Sequence, residues 1–483
     1  MKDLFTIITG AALSAILLTM ASPGYDFWFA AYFALAPMLI AISLTGKGLL
    51  AGWLFGSIYY IINLRWIITA VSDFGNAHYA IGIMATVAAG CLLGLLWGLF
   101  GWISIKKRGA NLLLAGIMVA IEIAKSTMLT GFPMLNLSHT QYSFAPAIQI
   151  AEITGAFGIT LIIAYMNIAL ASLVTDRNRQ SIALAIVMLG ASLVYGFSVQ
   201  NREYAGNELN VKIIQPAYSQ AEKWIPEKKY DIMTDVSSML RQEHGDADLL
   251  ILPETVYPAF LNTTFAGYHM LEISGEKIPT IAGGIRFVDK DGKRTYYNSA
   301  FMFDKEAVSI YDKLHLVPFG EYFPLKNLFK PIDYYFFKGA EDFTAGHTPK
   351  IFAGKNFTVA PMICYESMYS ELVRDQVMLG ADIITVLTND SWFGDTKGPY
   401  QHLATDVLRA VEFRKPIVRA AQSGISACIS PSGEITDTIG LGKKDTVTCE
   451  VTTHKGLTLF ATGAYGWLAV FLFIAWYLNR RKT

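Results

Sequence analysis

The residues best suited to chemistry surround Cys364, in the segment VAPMICYES. This cysteine directly follows an apolar, β-branched run, so we expect it at a turn between a strand and a helix. A thiol there meets the positive end of the helix dipole, which lowers its pKa and raises the thiolate fraction. Most cysteines are instead buried as small hydrophobic residues. Tyr365 and Glu366 at the same turn weaken that structural role and favour a nucleophile.

Two other segments hold charged residues that a cysteine nucleophile needs. Glu254 follows a continuous apolar run in LLILPET, and Lys313 leaves a strand-like run in SIYDKLHLVPFGEY. Read alone, Glu254 fits a helix N-terminus and Lys313 a solvated charge. The Pro–Phe–Gly turn before Glu321 is unusual because it holds a carboxylate rigidly. Read together with Cys364, the segments supply a base, an oxyanion partner and a nucleophile, each just after a strand-like run.

The elements that position these residues lie within 205–456, where short β-branched runs alternate with helical stretches. This alternation predicts an α/β layered fold around a buried sheet. The strand-like runs are 211–214, 248–252, 280–286, 299–303, 308–311, 358–363 and 382–387, and the helical ones are 231–241, 368–379 and 400–414. No Walker loop, GxGxxG or HExxH motif is present, and the eight histidines lack metal-ligand spacing. We therefore expect no metal or other cofactor.

Charge divides the chain into an apolar and a polar part. Its 483 residues are 53% hydrophobic, and 39 basic residues balance 39 acidic ones, which excludes a globally basic nucleic-acid binder. Residues 1–204 hold 17 charged side chains, and the other 279 residues hold 61. We therefore predict a membrane domain over 1–204, a water-soluble domain over 205–456, and a final membrane helix with a basic tail over 457–483.

Eight apolar stretches have the length of membrane spans: about 4–21, 27–45, 49–70, 80–104, 110–129, 153–174, 181–199 and 457–478. The third is the weakest because Asn63 and Arg65 interrupt it. With the N-terminus inside, each short inside segment holds Lys or Arg and the short outside loops hold neither. This asymmetry predicts that residues 200–456 face outside, which in a bacterium is the periplasmic face of the inner membrane.

Two charged residues and one polar loop stand out in the membrane part. Glu122 and Lys125 lie three positions apart near the outer end of the fifth span, where a mutual salt bridge is the simplest role. The loop 130–152 is rich in polar and aromatic residues, and we expect it to pack against the outer domain or to line a cavity.

The remaining three cysteines have simpler interpretations than Cys364. Cys91 falls in the fourth span and is expected to pack among helices or lipid. Cys428 and Cys449 could pair in an oxidising compartment. Because nothing in their spacing requires it, free thiols are the expected state.

Beyond these patterns, the soluble part resembles the nitrilase, or carbon–nitrogen hydrolase, superfamily. That superfamily carries a Glu-Lys-Cys triad in this chain order on an α-β-β-α sandwich. The segments LPET, DKLHLVPFGEYFP, CYES and LTNDSWFG are similar to its apolipoprotein N-acyltransferase branch. Seven spans before the domain and one after it fit the same branch, so the resemblance covers nearly the full chain.

The resemblance implies a role for each of the chemical residues. Glu254 would be the general base, Lys313 the oxyanion stabiliser and Cys364 the nucleophile. Four positions match supporting residues of the family: Trp224, Glu321, Tyr365 and Glu366. Three more follow the strand-like run 382–387 and are expected to shape the pocket: Asn389, Asp390 and Trp392.

The activity implied by the resemblance is acyl transfer in two steps, the last reaction of lipoprotein maturation. A membrane phospholipid would give an acyl chain to Cys364 as a thioester. The N-terminal amine of diacylglyceryl-cysteine on an apolipoprotein would then accept it. A thioester converts to an amide downhill, so no ATP site is needed. The partners are therefore two lipidated substrates and the bilayer, with no nucleic acid.

Three other functional classes remain open from the sequence. A membrane-tethered amidase or nitrilase with water as acceptor would have the same triad but would need only one anchor. A transporter with a soluble appendage would have charged midplane residues and broken helices, which are sparse here. A lipoprotein-binding module without catalysis would not need the intact triad.

Overall fold

The computed structural model describes residues 1–75, 77–223, 225–263, 269, 277–305, 307–324 and 342–480. Trp224, which the sequence places over the site, lies outside the described residues, as do the last three residues of the basic tail.

Helices occupy all seven predicted spans before residue 205. Among the residues that the structure describes, six long elements are apolar enough to cross a membrane by length and composition, if the bent pair Gly48–Asn63 and Trp66–Phe74 is taken as one span. The other five are Lys2–Ala21, Trp28–Thr45, Tyr79–Lys106, Ala156–Asp176 and Arg179–Val199. The fifth predicted span is the 17-residue helix Asn111–Thr127. The eighth is divided into Leu459–Gly463 and Gly466–Arg480, with Ala464 at a positive φ between them.

The predicted weakness of the third span is a real break in the helix. The helix ends at Asn63 and resumes at Trp66 with a bend of 54°, and Arg65 is exposed at the break. The side-chain amide of Asn63 turns inward and donates to Thr19 Oγ1, while the backbone carbonyl oxygen of Asn63 accepts from the side-chain amide of Gln401 in the outer domain. Asn63 therefore links two membrane helices through its side chain and the outer domain through its backbone.

Glycines decide how closely two of these helices pack. Gly48, Gly52 and Gly56 recur every fourth residue on one helix and face Gly101, Gly98 and Gly94, in that order, on Tyr79–Lys106. A Cβ at Gly52 would lie 2.1 Å from a backbone oxygen of the partner helix. Lipid gives no hydrophobic driving force for helix pairing, so close backbone contact between small residues provides it instead.

Glu122 and Lys125 each bind other groups instead of forming the expected mutual salt bridge. Lys125 Nζ donates to the carbonyl oxygen of Met134 at 2.7 Å, and Glu122 accepts from the backbone N–H of Leu137 and the hydroxyl of Thr160. Both charges therefore fix the start of the loop 130–152 onto the helices, because polar groups in a membrane must find partners inside the protein.

The outer part is a sandwich of two six-stranded sheets, which confirms the predicted α-β-β-α class. The first sheet has the order β12-β1-β2-β3-β4-β5 and the second β11-β10-β9-β8-β7-β6. In chain order the strands are β1 Glu208–Gln215, β2 Leu249–Ile251, β3 Thr280–Lys290, β4 Lys293–Asp304, β5 Ala307–Asp312, β6 Phe352–Ala353, β7 Thr358–Ile363, β8 Ile383–Thr388, β9 Ile417–Ala421, β10 Ser426–Ile429, β11 Ile435–Ile439 and β12 Asp445–Thr452.

The two sheets share a core, and a disulfide crosses it. Val211 and Ile281 of the first sheet pack in one cluster with Val359 and Leu387 of the second. Cys428 on β10 and Cys449 on β12 form a disulfide with their Cα atoms 5.4 Å apart. The expectation of two free thiols is therefore wrong, because the fold places strands from different sheets face to face at this point.

Helices cover both outer faces of the sandwich. Lys229–Arg241 packs on the first sheet through Ile232, Val236 and Leu240. Ser370–Met378 and Gly398–Phe413 pack on the second sheet, and their buried residues belong to the same apolar cluster as the membrane helices. The second helix layer is therefore also the surface that joins the sandwich to the membrane domain.

Candidate active site

Cys364 lies at the carboxyl end of β7, as the sequence predicts. It begins the tight 3₁₀ turn Cys364–Met368 and has a φ of 52° in the left-handed region. Such a backbone conformation is strained for a non-glycine residue and is common where a side chain must point out of a sheet edge. The residue is partly exposed, and its thiol is not in a disulfide.

The thiol is not acidified in the resting protein, which corrects one expectation. Burial and then the negative charge of Glu254 raise the pKa of Cys364, and the positive charge of Lys313 offsets only part of this. The turn after Cys364 is a 3₁₀ segment, and the next α-helix begins only at Ser370, so no helix N-terminus meets the thiol. To act as a nucleophile, Cys364 would therefore need a base to remove its proton.

Glu254 lies three residues after β2, buried and held on both carboxylate oxygens. Oε1 accepts from the amide of Asn298 at 2.6 Å, and Oε2 accepts from the backbone N–H of Asn389 at 2.9 Å. Gly283 on β3 makes room for this loop, because a Cβ there would lie 2.5 Å from the Cα of Glu254. The Glu254 carboxylate is therefore positioned by residues of β3 and β4 and by the residue after β8.

Lys313 follows β5 and is only 1% exposed. Its Nζ lies 2.9 Å and 2.8 Å from the two oxygens of Glu321 and 3.6 Å from Oε1 of Glu254. Burial opposes the charge, but Glu321, then Glu254 and Cys364, outweigh it and raise the pKa of Lys313. The structure thus brings Glu254, Lys313 and Glu321 into one network as predicted, with the ammonium charged at neutral pH.

Asn298 on β4 was missed in the sequence but lies at the centre of this network. Its Nδ2 donates to Glu254 at 2.6 Å and to Glu321 at 2.7 Å. The two acids therefore share one amide donor as well as one lysine. The sequence did hold one signal for Asn298. A polar amide directly before the strand-like run 299–303 is unusual.

Glu366 fixes the loops that carry Lys313 and Cys364 relative to each other. It is fully buried, and its Oε1 accepts from the Tyr311 hydroxyl at 2.8 Å and from the Leu314 backbone N–H at 2.6 Å. Its Oε2 accepts from the backbone N–H of Ile363 at 2.8 Å. Burial raises the pKa of Glu366 to about 7 despite these donors. Its contacts indicate a supporting rather than a reacting group.

Tyr365 connects the nucleophile's turn to the membrane domain. Its hydroxyl donates to the carbonyl oxygen of Gly131 at 3.0 Å, and the Tyr369 hydroxyl donates to that of Thr130 at 2.8 Å. The ring of His315 packs on Tyr369 with centroids 4.1 Å apart. The predicted packing of the loop 130–152 on the outer domain is confirmed, and it occurs directly beside Cys364.

The predicted pocket residues after β8 have three different environments. Asn389 binds Glu254 through its backbone and Gln220 through its side chain. Asp390 is fully buried, where its carboxylate binds Arg419 and His402. Trp392 is partly exposed and packs on Phe74 of the membrane domain. Of these three, Asn389 hydrogen-bonds Glu254.

A second buried lysine near Glu254 was not foreseen. Lys223 is 1% exposed, and its Nζ donates to Thr255 Oγ1 at 2.7 Å. Burial lowers the pKa of Lys223 to about 7, although the charge of Glu254 opposes this. The motif AEKWIP did not indicate that Lys223 is buried, because a lysine in a polar segment is ordinarily solvated.

The raised thiol pKa predicts slow alkylation of Cys364 at neutral pH. In a Cys91→Ala protein, Cys364 is the remaining free thiol. Iodoacetamide labelling should accelerate about tenfold per pH unit, without reaching a plateau below about pH 9, because the thiolate fraction keeps rising. Fast labelling that does not change with pH would mean that the resting group is a thiolate.

The close approach at Gly283 predicts a second effect. Gly283→Ala should push the Glu254 loop away and slow acyl transfer about 100-fold, since a displacement of about 1 Å at a catalytic group has this effect. Gly190→Ala is the matched control, because an added Cβ there meets no atom within 4 Å. Transfer rates and melting temperatures of both variants show whether Gly283 positions the Glu254 loop. A Gly283→Ala protein with the wild-type rate would exclude this positioning role.

Comparison with known proteins agrees with this architecture. Residues 213–455 match the family model for carbon-nitrogen hydrolase, and residues 14–169 match that for the apolipoprotein N-acyltransferase N-terminal domain. The apolipoprotein N-acyltransferase of Geobacter metallireducens is 30% identical over 93% of this chain and 90% of its own. That of Pasteurella multocida is 28% identical over 96% and 94%. Nit3 of Saccharomyces cerevisiae, a nitrilase-superfamily structure, matches 52% of this chain and 91% of its own at 16% identity and a TM-score of 0.39.

The sandwich and the first of these matches define a carbon–nitrogen hydrolase domain, here attached to membrane helices. With the full-length relatives added, the chain belongs to the apolipoprotein N-acyltransferase family. It is therefore a membrane acyltransferase of lipoprotein biosynthesis, and the relatives favour this over an amidase that uses water as acceptor.

Proposed function

We propose that the enzyme moves an acyl chain from a membrane phospholipid to the N-terminal amine of a diacylated apolipoprotein, with Cys364 as the covalent carrier. The observation that carries the proposal is the contact between the nucleophile's turn and the membrane domain, through Tyr365 and Tyr369 to the carbonyl oxygens of Thr130 and Gly131. A site attached in this way holds lipid substrates at a fixed depth, which favours an oriented reaction.

In the first half-reaction, Glu254 takes the proton of the Cys364 thiol and the sulfur attacks an ester carbonyl of the phospholipid. The ammonium of Lys313 stabilises the oxyanion. The ester C–O bond then breaks, and the lysophospholipid alkoxide leaves with the proton from Glu254. The raised pKa of the thiol makes this base necessary.

In the second half-reaction, the neutral α-amine of the apolipoprotein attacks the thioester carbonyl. Glu254 removes a proton from the amine nitrogen while Lys313 again stabilises the oxyanion. The C–S bond breaks, the sulfur regains a proton, and an amide remains. Glu321, Glu366 and Asn298 act by holding these groups in place.

We also propose the division into a membrane domain 1–204, a catalytic domain 205–456 and a final membrane helix with its tail, 457–483. The catalytic domain would face the periplasm from the bacterial inner membrane. The Lys and Arg distribution supports this orientation. The Cys428–Cys449 disulfide supports it independently, because such bonds persist in oxidising compartments.

The orientation predicts the activity of reporter fusions. Alkaline phosphatase fused after Arg202 should be active, because the enzyme needs an oxidising compartment, whereas a fusion after Arg108 should be inactive. A cytoplasmic reporter at the same two sites serves as the complementary control. The reverse pattern would contradict the topology.

The two half-reactions can be separated to test the function. Enzyme loaded with an isotope-labelled acyl phospholipid is freed of donor and then mixed with a diacylated lipopeptide. We expect the label to move to the α-amine of the lipopeptide. Release of the label as free fatty acid, equally fast with and without the lipopeptide, would contradict acyl transfer and indicate hydrolysis.

A further inference from the structure

A cavity of about 440 Å³ lies where the chain passes between the membrane helices and the sandwich. Its lining includes the segment that follows the helix Arg179–Val199 and the segment that precedes the helix Leu459–Gly463. Its polar lining includes Glu152, Arg202, Tyr204, Arg414, His454 and Lys455. None of these residues takes part in the acyl-transfer network described above.

Arg414 gives the cavity a buried cationic wall. It is 1% exposed, with Nε bound to Glu152 at 2.8 Å and Nη1 bound to Gln149 at 2.6 Å. Within the part of the chain that the structure describes, its Nη2 and the Tyr204 hydroxyl meet no partner with hydrogen-bond geometry. Tyr204 interacts with Arg414, so Arg414 contributes its positive charge to the cavity rather than a free donor.

The charge balance of the cavity suits an anion. Arg202, Arg414 and Lys455 contribute positive charges, and Glu152 and Glu203 contribute negative ones. Glu152 is already occupied by Arg414 and Arg202. Burial lowers the pKa of His454, so its ring is a neutral hydrogen-bonding group at neutral pH. One positive charge in the lining is therefore not balanced by a carboxylate.

The cavity is remote from Cys364. Cys364 follows β7 and Asn389 follows β8, both at the carboxyl ends of parallel strands, whereas Arg414 precedes β9 at the amino end. The five residues of β9 span roughly 17 Å. An occupant of the cavity therefore lies at the other edge of the sheet and does not compete with the acyl donor.

Exposed apolar residues beside the cations indicate where the anion comes from. Leu457 lines the cavity and Leu459 starts the final helix, and both are largely exposed. Cations next to exposed leucines at the end of membrane helices match a lipid, whose phosphate binds the cations while its chains lie along the apolar surface. We propose that the cavity binds the phosphate group of an anionic phospholipid, as a lipid site separate from the acyl donor site.

Lipid retention tests the proposal without catalysis. The enzyme is placed in nanodiscs of diether phosphatidylcholine containing about one fifth diether phosphatidylglycerol, and bound lipid is counted by native mass spectrometry. Ether lipids cannot donate an acyl chain, so the result is independent of the proposed function. We expect preferential retention of phosphatidylglycerol, reduced about tenfold in Arg202→Gln/Lys455→Gln, since each cation at the surface adds several-fold in affinity.

Lys290→Gln/Lys293→Gln is the matched control, because it removes two exposed lysines from the far end of the β3–β4 hairpin. It should retain lipid as the wild type does. Equal retention by the cavity variant would overturn the proposal. Inorganic phosphate in detergent is the second arm, and a stabilisation as large as that by phosphatidylglycerol would identify a free-anion site instead. If the double variant does not fold, Lys455→Gln alone should still reduce retention about fivefold.

Discussion

Replacing Cys364 with alanine is expected to abolish both half-reactions, with transfer falling by more than about 10⁴-fold. The residue supplies the only protein atom that bonds to the acyl chain in the proposed mechanism. No neighbouring side chain can replace it, because the other free cysteine, Cys91, lies in the helix Tyr79–Lys106. Transfer of acyl chain to a diacylated lipopeptide, followed by mass spectrometry, measures the loss.

Two cysteine variants serve as controls for this loss. Cys91→Ala should retain the wild-type rate. Removing the disulfide by Cys428→Ala/Cys449→Ala should lower stability by about 3 kcal/mol, as for a bond closing a loop of about 20 residues, while folded enzyme stays active. Substantial transfer by folded Cys364→Ala protein would exclude the residue as nucleophile.

Lys313→Met is expected to slow acyl-enzyme formation by about 10²–10³-fold, the usual effect of losing one oxyanion donor. The loss can exceed this range because Glu254 and Glu321 would then face each other without their shared cation. Single-turnover labelling of Cys364 by a phospholipid measures this step alone. Lys290→Met, on the exposed end of β3, is the control for removal of a lysine.

The acids around Lys313 should respond differently. Glu254→Gln should be at least as damaging as Lys313→Met, because the base is used in both half-reactions. Glu321→Ala should also be inactive, but its defect should include displacement of the 317–321 turn, where Glu321 binds the Val317 N–H. Lys313→Met protein that acylates at the wild-type rate would show that Lys313 is not the oxyanion partner.

The sequence predicted the strands of the fold best where they are almost entirely apolar. β2, β7 and β8 were predicted because every residue in them except Thr358 is buried, which requires a nearly continuous apolar run. The edge strands β11 and β12 were missed because Thr, Asp and Glu alternate through ITDTI and DTVTCEVT and resemble a loop. Their pairing is decided by the neighbouring strands.

The residues of the candidate site could be predicted from the sequence, but their electrostatic environment could not. Glu254, Lys313 and Cys364 follow strand-like runs, and the structure places them at one end of the sandwich. The raised thiol pKa depends on burial and on the distance to Glu254, and the partners of Glu122 depend on the loop 130–152. None of these distances can be read from spacing along the chain.

The central claim is that Cys364 carries the acyl chain, and the mass of its peptide tests this most directly. Enzyme is incubated with phospholipid alone, digested and analysed before any acceptor is added. The account predicts a peptide heavier by one acyl chain, with the modification on Cys364 and removed by hydroxylamine as a thioester is. An unmodified Cys364 peptide from enzyme that still transfers acyl chains to lipopeptide, or an adduct on another residue, would contradict it.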